Sequence, residues 1–402
     1  MTGPRDAVIV DIVRSPVGRG KIGGSLSALH PVDLLAQTLQ GLIGRTGIDP
    51  GLVEDVLIGC VSQVGEQSAT PGRMAWLGAG FPEHVPSVTI DRKCGSSQQA
   101  AHFAAQGVMA GAYDIVVAGG IESMSRVRMG SARMGADPYG DLVNERYAPG
   151  LVSQGLAAEL VADRWMLTRE DLDAYAAQSH ARAQAAAAAG SFVNEIVPVT
   201  VTAATGAVVV SADETIRPFT TVESLAGLAT AFASDDARAR FPGLDFRVTA
   251  GNSSQITDGA SAMLIMSREK ADSMGVRARA RFHSFSQVGD DPLLMLTGVL
   301  PATRRVLERG ALGLDDVDVF EVNEAFASVP LAWLRELGVD GARVNPRGGA
   351  IALGHPLGAS GGRLMATLVN ALEQTGGRWG LQAMCEAGGM ANATIIERLD
   401  NG

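Results

Sequence analysis

The sequence predicts a layered α/β protein. Three observations lead there. Short β-branched apolar runs alternate with stretches whose apolar residues recur at helical spacing. The chain has 402 residues, enough for two or three packed units. A weak internal repeat places similar strand–turn–helix segments in its first and last thirds.

Ala7 to Val13 reads as a buried strand ended by Arg14-Ser15-Pro16-Val17-Gly18. Pro31 to Gly47 carries Leu34, Leu35, Leu39, Leu42 and Ile43 at helical spacing, with proline at the start. Val56–Cys60 and Ser87–Ile90 are further strands. An alanine-rich helix is expected from about Gly95 to Ala110, then a buried strand from Asp114 to Gly120. Residues 123–248 have a more polar texture and read as an inserted, mostly loop-built region. One helix stands out in it, Leu172 to Ala189. Thr168 and Asp171 stand as a capping box before it and Gly190 closes it. Pro198 to Pro218 reads as short strands and turns. Ala262–Met266 reads as a buried strand. Beyond it the spacing predicts a strand near Arg281–Phe285, a helix at Ala302–Arg309 and a strand at Val317–Val322. A helix at Ser360–Glu373 and strands near Leu381–Met384 and Ala393–Ile396 complete the chain.

The repeat matches Val88-Thr-Ile-Asp-Arg-Lys-Cys94-Gly, a helix, and Ile115-Val-Val-Ala-Gly-Gly120 with a second series. That series is Val344-Asn-Pro-Arg-Gly-Gly, a glycine loop, a helix, and Gln382-Ala-Met-Cys385-Glu-Ala-Gly-Gly389. It suggests two similar halves with a site between them.

Composition narrows the function classes. Hydrophobic residues make up 46% and charged residues 19%, a globular profile. The net charge of −10 argues against a nucleic-acid partner. No apolar run of membrane-spanning length occurs and the N-terminus carries no signal-peptide pattern. The three cysteines, Cys60, Cys94 and Cys385, are too few for a disulfide framework and fit a reducing cytoplasm. Their spacing gives no metal site.

Four segments carry chemistry. Cys94 lies in Asp91-Arg-Lys-Cys94-Gly-Ser-Ser97, between a strand and a helix. A helix N-terminus favours thiolate character there, although a lone buried cysteine is more often structural. His355 lies among glycines in Gly348-Gly-Ala-Ile-Ala-Leu-Gly-His355-Pro-Leu-Gly-Ala-Ser-Gly-Gly-Arg363. It can take a thiol proton or donate to a thioester oxygen. Cys385, in Met384-Cys385-Glu-Ala-Gly-Gly389, is either a second acid/base or a buried strand-end residue. Gly388 there can present an N–H to an oxyanion. Asn323, in Glu321-Val-Asn323-Glu-Ala-Phe-Ala327, can bind an oxyanion or merely cap a helix.

Together these segments, with Ala118-Gly-Gly-Ile-Glu-Ser-Met-Ser125, resemble the thiolases in order and spacing over nearly the whole chain. The resemblance implies two βαβαβαββ halves in a five-layered α/β/α/β/α sandwich with an inserted loop domain. The expected boundaries are 1–122 with 249–275, 123–248, and 276–402. It implies Cys94 as the acylated nucleophile, His355 as its activator and Cys385 as the acid/base. Asn323 (through a water) with His355 would form one oxyanion site, and the N–H groups of Cys94 and Gly388 the other. It implies coenzyme A and acyl-CoA as substrates, with no permanent cofactor and no metal. Ala250, Ser254, Met295, Ala325 and Phe326 are similar to positions lining the coenzyme A pocket. The Gln63–Gly80 segment resembles the family's dimer contact, implying a homodimer or homotetramer.

Some positions depart from the short-chain biosynthetic pattern. Ser153-Gln154-Gly155 stands for a His-Met-Gly segment. Leu228-Ala-Thr-Ala-Phe232 lacks an arginine that contacts the nucleotide in many members, and Cys385-Glu-Ala-Gly-Gly replaces Cys-Ile-Gly-Gly-Gly. Asn345-Pro-Arg347 stands for a more usual Asn-x-Asn. These departures favour a degradative 3-ketoacyl-CoA thiolase over an acetyl-CoA acetyltransferase specific for acetoacetyl-CoA. A non-catalytic acyl-CoA or lipid binder of the same fold is the remaining alternative.

Overall fold

The computed structural model describes residues 5–203 and 206–399. The first half begins with strands β1 (Ala7–Arg14) and β2 (Gly18–Arg19), then helix α1 (Pro31–Thr46) and strand β3 (Asp55–Gly59). Helix α2 (Pro71–Gly78), strand β4 (Ser87–Ile90), helix α3 (Ser96–Met109) and strand β5 (Ile115–Ser123) follow. Local chemistry fixes several of the ends. Pro31 opens α1, the His30 side chain accepts from Val32 N–H, and Gly47 closes it at φ 65°.

The inserted region holds helices α4 (Gly140–Arg146), α5 (Gln154–Arg164), α6 (Arg169–Ala188), α7 (Val222–Ala226) and α8 (Asp235–Arg240). Its two strands, β6 (Val199–Ala203) and β7 (Gly206–Val210), form a separate antiparallel pair. The Thr168–Asp171 capping box on α6 is present as expected. The region is more helical than its polar texture suggests. Helix α5 was not legible because it buries small residues, Gly155, Ala157, Ala158 and Ala162, rather than a bold apolar stripe.

The chain then returns to the first half with strand β8 (Thr257–Ser267) and helix α9 (Arg268–Ser273), and the second half begins with strand β9 (Ala280–Gly289) and helix α10 (Val299–Gly310). Strand β10 (Val319–Val322) and helices α11 (Ser328–Leu337), α12 (Ala350–Leu353) and α13 (Ser360–Thr375) come next. Strands β11 (Trp379–Glu386) and β12 (Met390–Arg398) end the described chain.

Strand order reveals the duplication. The sheet runs β10-β11-β12-β9-β1-β8-β5-β3-β4. Read outward from the β1–β9 junction, one side is β1, β8, β5, β3, β4 and the other is β9, β12, β11, β10. The inner pairs are antiparallel and the outer ones parallel on both sides. Val344 makes a parallel bridge to Phe320 at the outer edge, in the place that β4 holds beside β3.

Apolar clusters separate the layers. One joins α1 and α2 to the first half's strands through Leu35, Leu39, Trp76, Val56 and Leu264. A second places α3 and α13 between strands of both halves, through Ala101, Ala104, Val116, Met365 and Val319. A third packs α10 and α11, with α5 and α6, against the second half's strands. The result is an α/β/α/β/α stack. Alanines on α3 and glycines on α13 let the two central helices approach closely. A Cβ at Gly361 would lie 2.8 Å from the Gln98 Cβ, and Gly362 N–H donates to Ser97 Oγ at 2.9 Å. The N-terminal ends of α3 and α13 therefore meet between the halves.

Candidate active site

Cys94 sits where β4 turns into α3. Lys93 adopts a left-handed φ of 49°. Ser96 Oγ ties the turn, accepting from Arg92 N–H at 2.9 Å and donating to Lys93 O at 2.6 Å. The thiol is buried. Burial pushes its pKa well up, and Cys385 and Glu386 push the same way; the Gln154 side chain and the residue's own N–H pull it down. Burial thus outweighs the thiolate character expected at a helix N-terminus. The resting group is the protonated thiol, and it needs a base.

His355 follows α12. Gly354, at φ 89°, admits Thr257 and Val17 where a side chain would stand. Gln255 fixes the loop: its carbonyl accepts from His355 N–H at 3.1 Å and its amide donates to Ile351 O at 2.9 Å. Glu122 accepts from Gly358 N–H at 2.9 Å and from the N–H groups of Val61 and Ser62 at 3.0 Å. That carboxyl fastens the loop to the other half. Imidazole Nδ1 lies 2.6 Å from Ser360 Oγ, and Ser360 Oγ donates to Pro356 O at 2.9 Å. The hydroxyl's proton is committed, so it accepts from Nδ1–H and leaves Nε2 with a free lone pair. Nε2 is buried with no hydrogen-bond partner among the described residues. Burial, with Arg363 adding to it, lowers the imidazole to about 3. It is neutral at pH 7 and can accept a proton only when a partner's chemistry supplies one.

Cys385 is buried near the end of β11. Burial pushes its thiol up to about 12, against the pull of Asn323 and the Ala325 N–H. Asn323 Nδ2 lies 4.0 Å from Cys385 Sγ, while Asn323 Oδ1 is buried without a partner among the described residues. Asn323 does not cap α11, whose cap position is Ala327. The helix-cap alternative for Asn323 therefore falls away. Gly388 and Gly389, at φ 93° and 75°, make the tight turn into β12. A side chain at 389 would press on the Asp290 and Asp291 carbonyl oxygens at 2.8 and 2.9 Å.

The two thiols are near enough for each other's charge to matter. Cys94 also shares a small apolar cluster with Met124 and Leu364, and with Leu357 and Met384, which lie two residues from His355 and one from Cys385. Cys94, Cys385 and Asn323 are thus brought together from the α3 end, the β11 end and the β10 end, and Leu357 of the loop that bears His355 packs with Cys94. The arrangement offers two protonated thiols, one free imidazole nitrogen and amide donors. That set can form and discharge an acyl cysteine.

Of the expected coenzyme A positions, Ser254 N–H donates to Ala325 O at 2.9 Å, and Ser253 bridges Phe326. Phe326 meets Phe232 edge-on, with ring centroids 5.9 Å apart. Met295 is buried in the same apolar cluster as Ala325. Ala250 lies on the segment leading to Ser254 and is exposed. Gly155 supports Phe232, whose ring occupies the space a side chain would need.

Sequence reasoning passed over several members. Gln255 and Glu122 act through contacts far along the chain, and Ser360 through a hydroxyl that turns back five residues to His355. Glu324 accepts from Tyr175 Oη (3.0 Å), Ser179 Oγ (2.7 Å), Asn345 Nδ2 (3.1 Å) and Ile351 N–H (3.1 Å). It clamps α6 to the histidine loop. Its position beside Asn323 was the only signal available.

Known proteins of similar sequence and fold exist. The thiolase N-terminal domain profile matches residues 7–269, and the thiolase C-terminal domain profile matches residues 276–398. A steroid 3-ketoacyl-CoA thiolase of Mycobacterium tuberculosis is 47% identical over 98% of this chain and 94% of its own. A beta-ketoadipyl-CoA thiolase of Pseudomonas aeruginosa is 42% identical over 98% and 100%. The crystal structure of a Bacillus anthracis acetyl-CoA acetyltransferase superposes with a TM-score of 0.89 at 36% identity, covering 99% of this chain and 100% of that one.

Proposed function

Because the chain belongs to the thiolase family, an acyltransferase family, we propose that it is a degradative 3-ketoacyl-CoA thiolase with Cys94 as nucleophile, His355 as base and Cys385 as acid. The chain performs coenzyme A-dependent cleavage of 3-ketoacyl-CoA to acetyl-CoA and a shortened acyl-CoA, or the reverse condensation. The observation that supports the residue assignment is the closeness of Cys94 and Cys385, both held as thiols, with Leu357 of the loop that bears His355 packed against Cys94.

In cleavage, the Cys94 proton passes to His355 as sulfur attacks the 3-keto carbon. The N–H groups of Cys94 and Gly388 face the oxyanion on that carbon, while Asn323, through a water, and the imidazolium face the thioester oxygen of the carbanion about to leave. The C–C bond then breaks, and the Cys385 S–H proton goes to the departing acetyl-CoA carbanion. The Cys385 thiolate takes the proton of an incoming coenzyme A thiol, whose sulfur displaces Cys94 from the acyl group. The N–H groups of Cys94 and Gly388 stabilise that second tetrahedral intermediate. Cys94 leaves as a thiolate and recovers its proton from His355, so every proton is returned and the cycle closes without a permanent cofactor.

Coenzyme A would lie along Ser254, Met295, Ala325 and Phe326, with Ala250 at the mouth. Among the described residues no helix is long and apolar enough to cross a membrane. We further propose a cytoplasmic homodimer or homotetramer, on the resemblance of Gln63–Gly80 to the family's dimer contact. Sedimentation as a single 41.6 kDa species would contradict the assembly.

The substrate reading is tested by thiolysis of a 3-ketoacyl-CoA series from acetoacetyl to long-chain and steroid-like members. Higher kcat/KM on longer or bulkier chains is expected. A sharp maximum at acetoacetyl-CoA would assign the acetyltransferase activity instead, and no cleavage at all would leave an acyl-CoA binder.

A further inference from the structure

Glu386 occupies the last position of β11, directly after Cys385, and is fully buried. Neither carboxyl oxygen has a hydrogen-bond partner among the described residues. One oxygen lies over Gly95, in the space a Cβ at 95 would fill; Asn392 Nδ2 is 3.3 Å from the same point. The carboxyl group is therefore pressed onto the first turn of α3, one residue from Cys94 and one from Cys385. A glycine at 95 is what makes room for it.

We propose that Glu386 is a positioning residue that governs the ionisation of the Cys94–Cys385 pair, acting as an uncharged acid while each thiolate forms. This rests on the thiolase reading above. Cleavage creates a thiolate at Cys94 as His355 takes its proton, and another at Cys385 as the carbanion takes its proton. The carboxyl group gives up no atom in either step. Its contribution is the sign of the local charge: as a neutral acid it tolerates the new anion, and as a carboxylate it opposes it.

The surroundings favour the neutral form. Burial pushes the carboxyl well above the usual range, Asp91 pushes the same way, and Arg92 pulls back without a hydrogen bond. The groups facing it are Asp91 and Arg92 on the β4–α3 turn, Asn392 on β12, and the two thiols. Both thiols in turn feel Glu386 as a charge that raises them. An isoleucine at this position, as in the biosynthetic pattern, has no such titration.

The test uses the full chain and reads alkylation of Cys94 and Cys385 by iodoacetamide against pH, resolved by mass spectrometry, beside the pH profile of thiolysis. In Glu386→Gln the onset of alkylation is expected to move about one pH unit lower, and the alkaline fall in kcat to disappear. Glu386→Asp, which retains the charge, should restore both features. Identical profiles in wild type and Glu386→Gln would overturn the proposal, as would an aspartate variant that behaves like glutamine. Should Glu386→Gln not fold, Arg92→Gln serves: loss of that cation keeps Glu386 neutral to higher pH and should raise the alkaline limb. An unmoved or lowered limb would count against the proposal. Alkylation needs no substrate, so a protein that cleaves no 3-ketoacyl-CoA fails the functional reading while Glu386 is still judged.

Discussion

Ser360 Oγ stands 2.6 Å from His355 Nδ1 and donates its own O–H to the Pro356 carbonyl, so one hydroxyl selects the imidazole tautomer. Ser360→Ala removes that selection and leaves Nδ1–H buried without a partner. The expected result is a fall in kcat of roughly tenfold and a stability loss of about 1 kcal/mol, with KM little changed. Steady-state kinetics and thermal melts check it. A larger effect on KM than on kcat would mean that Ser360 serves substrate binding.

The proposed roles of the thiols separate in a single-turnover experiment. With a 3-ketoacyl-CoA, Cys94→Ala should give no covalent adduct and no turnover. Cys385→Ala should still acquire an acyl group on Cys94 while turning over at least a hundredfold more slowly. Intact-protein mass spectrometry reads the adduct. An acylated Cys94→Ala protein would displace Cys94 from its role.

Glu324 collects four donors from α6, Asn345 and the histidine loop. Glu324→Ala strands the Tyr175, Ser179 and Ile351 donors in the interior, while Asn345 Nδ2 keeps Val322 O and Tyr175 Oη as acceptors. A stability loss on the order of 3 kcal/mol is expected, together with loss of activity, because the loop bearing His355 is then tied to α6 by little more than the Gly349 N–H to Ser179 Oγ bond. Chemical denaturation gives the first number. A loss below 1 kcal/mol would show that the clamp is not structural.

His355 also leaves a signature in stability against pH. Its folded-state pKa is lowered to about 3 from an ordinary 6.5. The unfolded chain therefore binds the proton first. The stabilisation is complete above pH 6.5 and is lost as pH falls toward 3. Between pH 7 and pH 5 the difference amounts to about 2 kcal/mol. His355→Gln cannot titrate, so its stability should fall less over that interval by that amount. Equal pH slopes for the two proteins would mean that the imidazole is charged or exposed in the fold.

Local signals were legible and distant ones were not. Helices α1 and α6 could be read because proline, glycine and a capping box act within a few residues. Cys94, His355, Cys385 and Asn323 announced themselves by glycine-rich or strand-end settings. Ser360 could be named as part of a motif, but nothing local says that its hydroxyl turns back to Nδ1. Gln255 and Glu122 reach the histidine loop across 96 and 236 positions, beyond any periodicity. Glu386 looked like a variant spelling of a motif. Its meaning depends on Gly95, brought beneath it by packing of the two halves.

The chain also distributes its chemistry in a way that a fragment cannot reproduce. One half carries a thiol and no activating imidazole. The other carries the imidazole and the second thiol, with nothing to acylate. The central helix pair that brings them together is the same contact on which the interior rests. On the proposed roles, catalysis is thus a readout of completed folding: a chain stalled with one half formed lacks part of the acyl-transfer set.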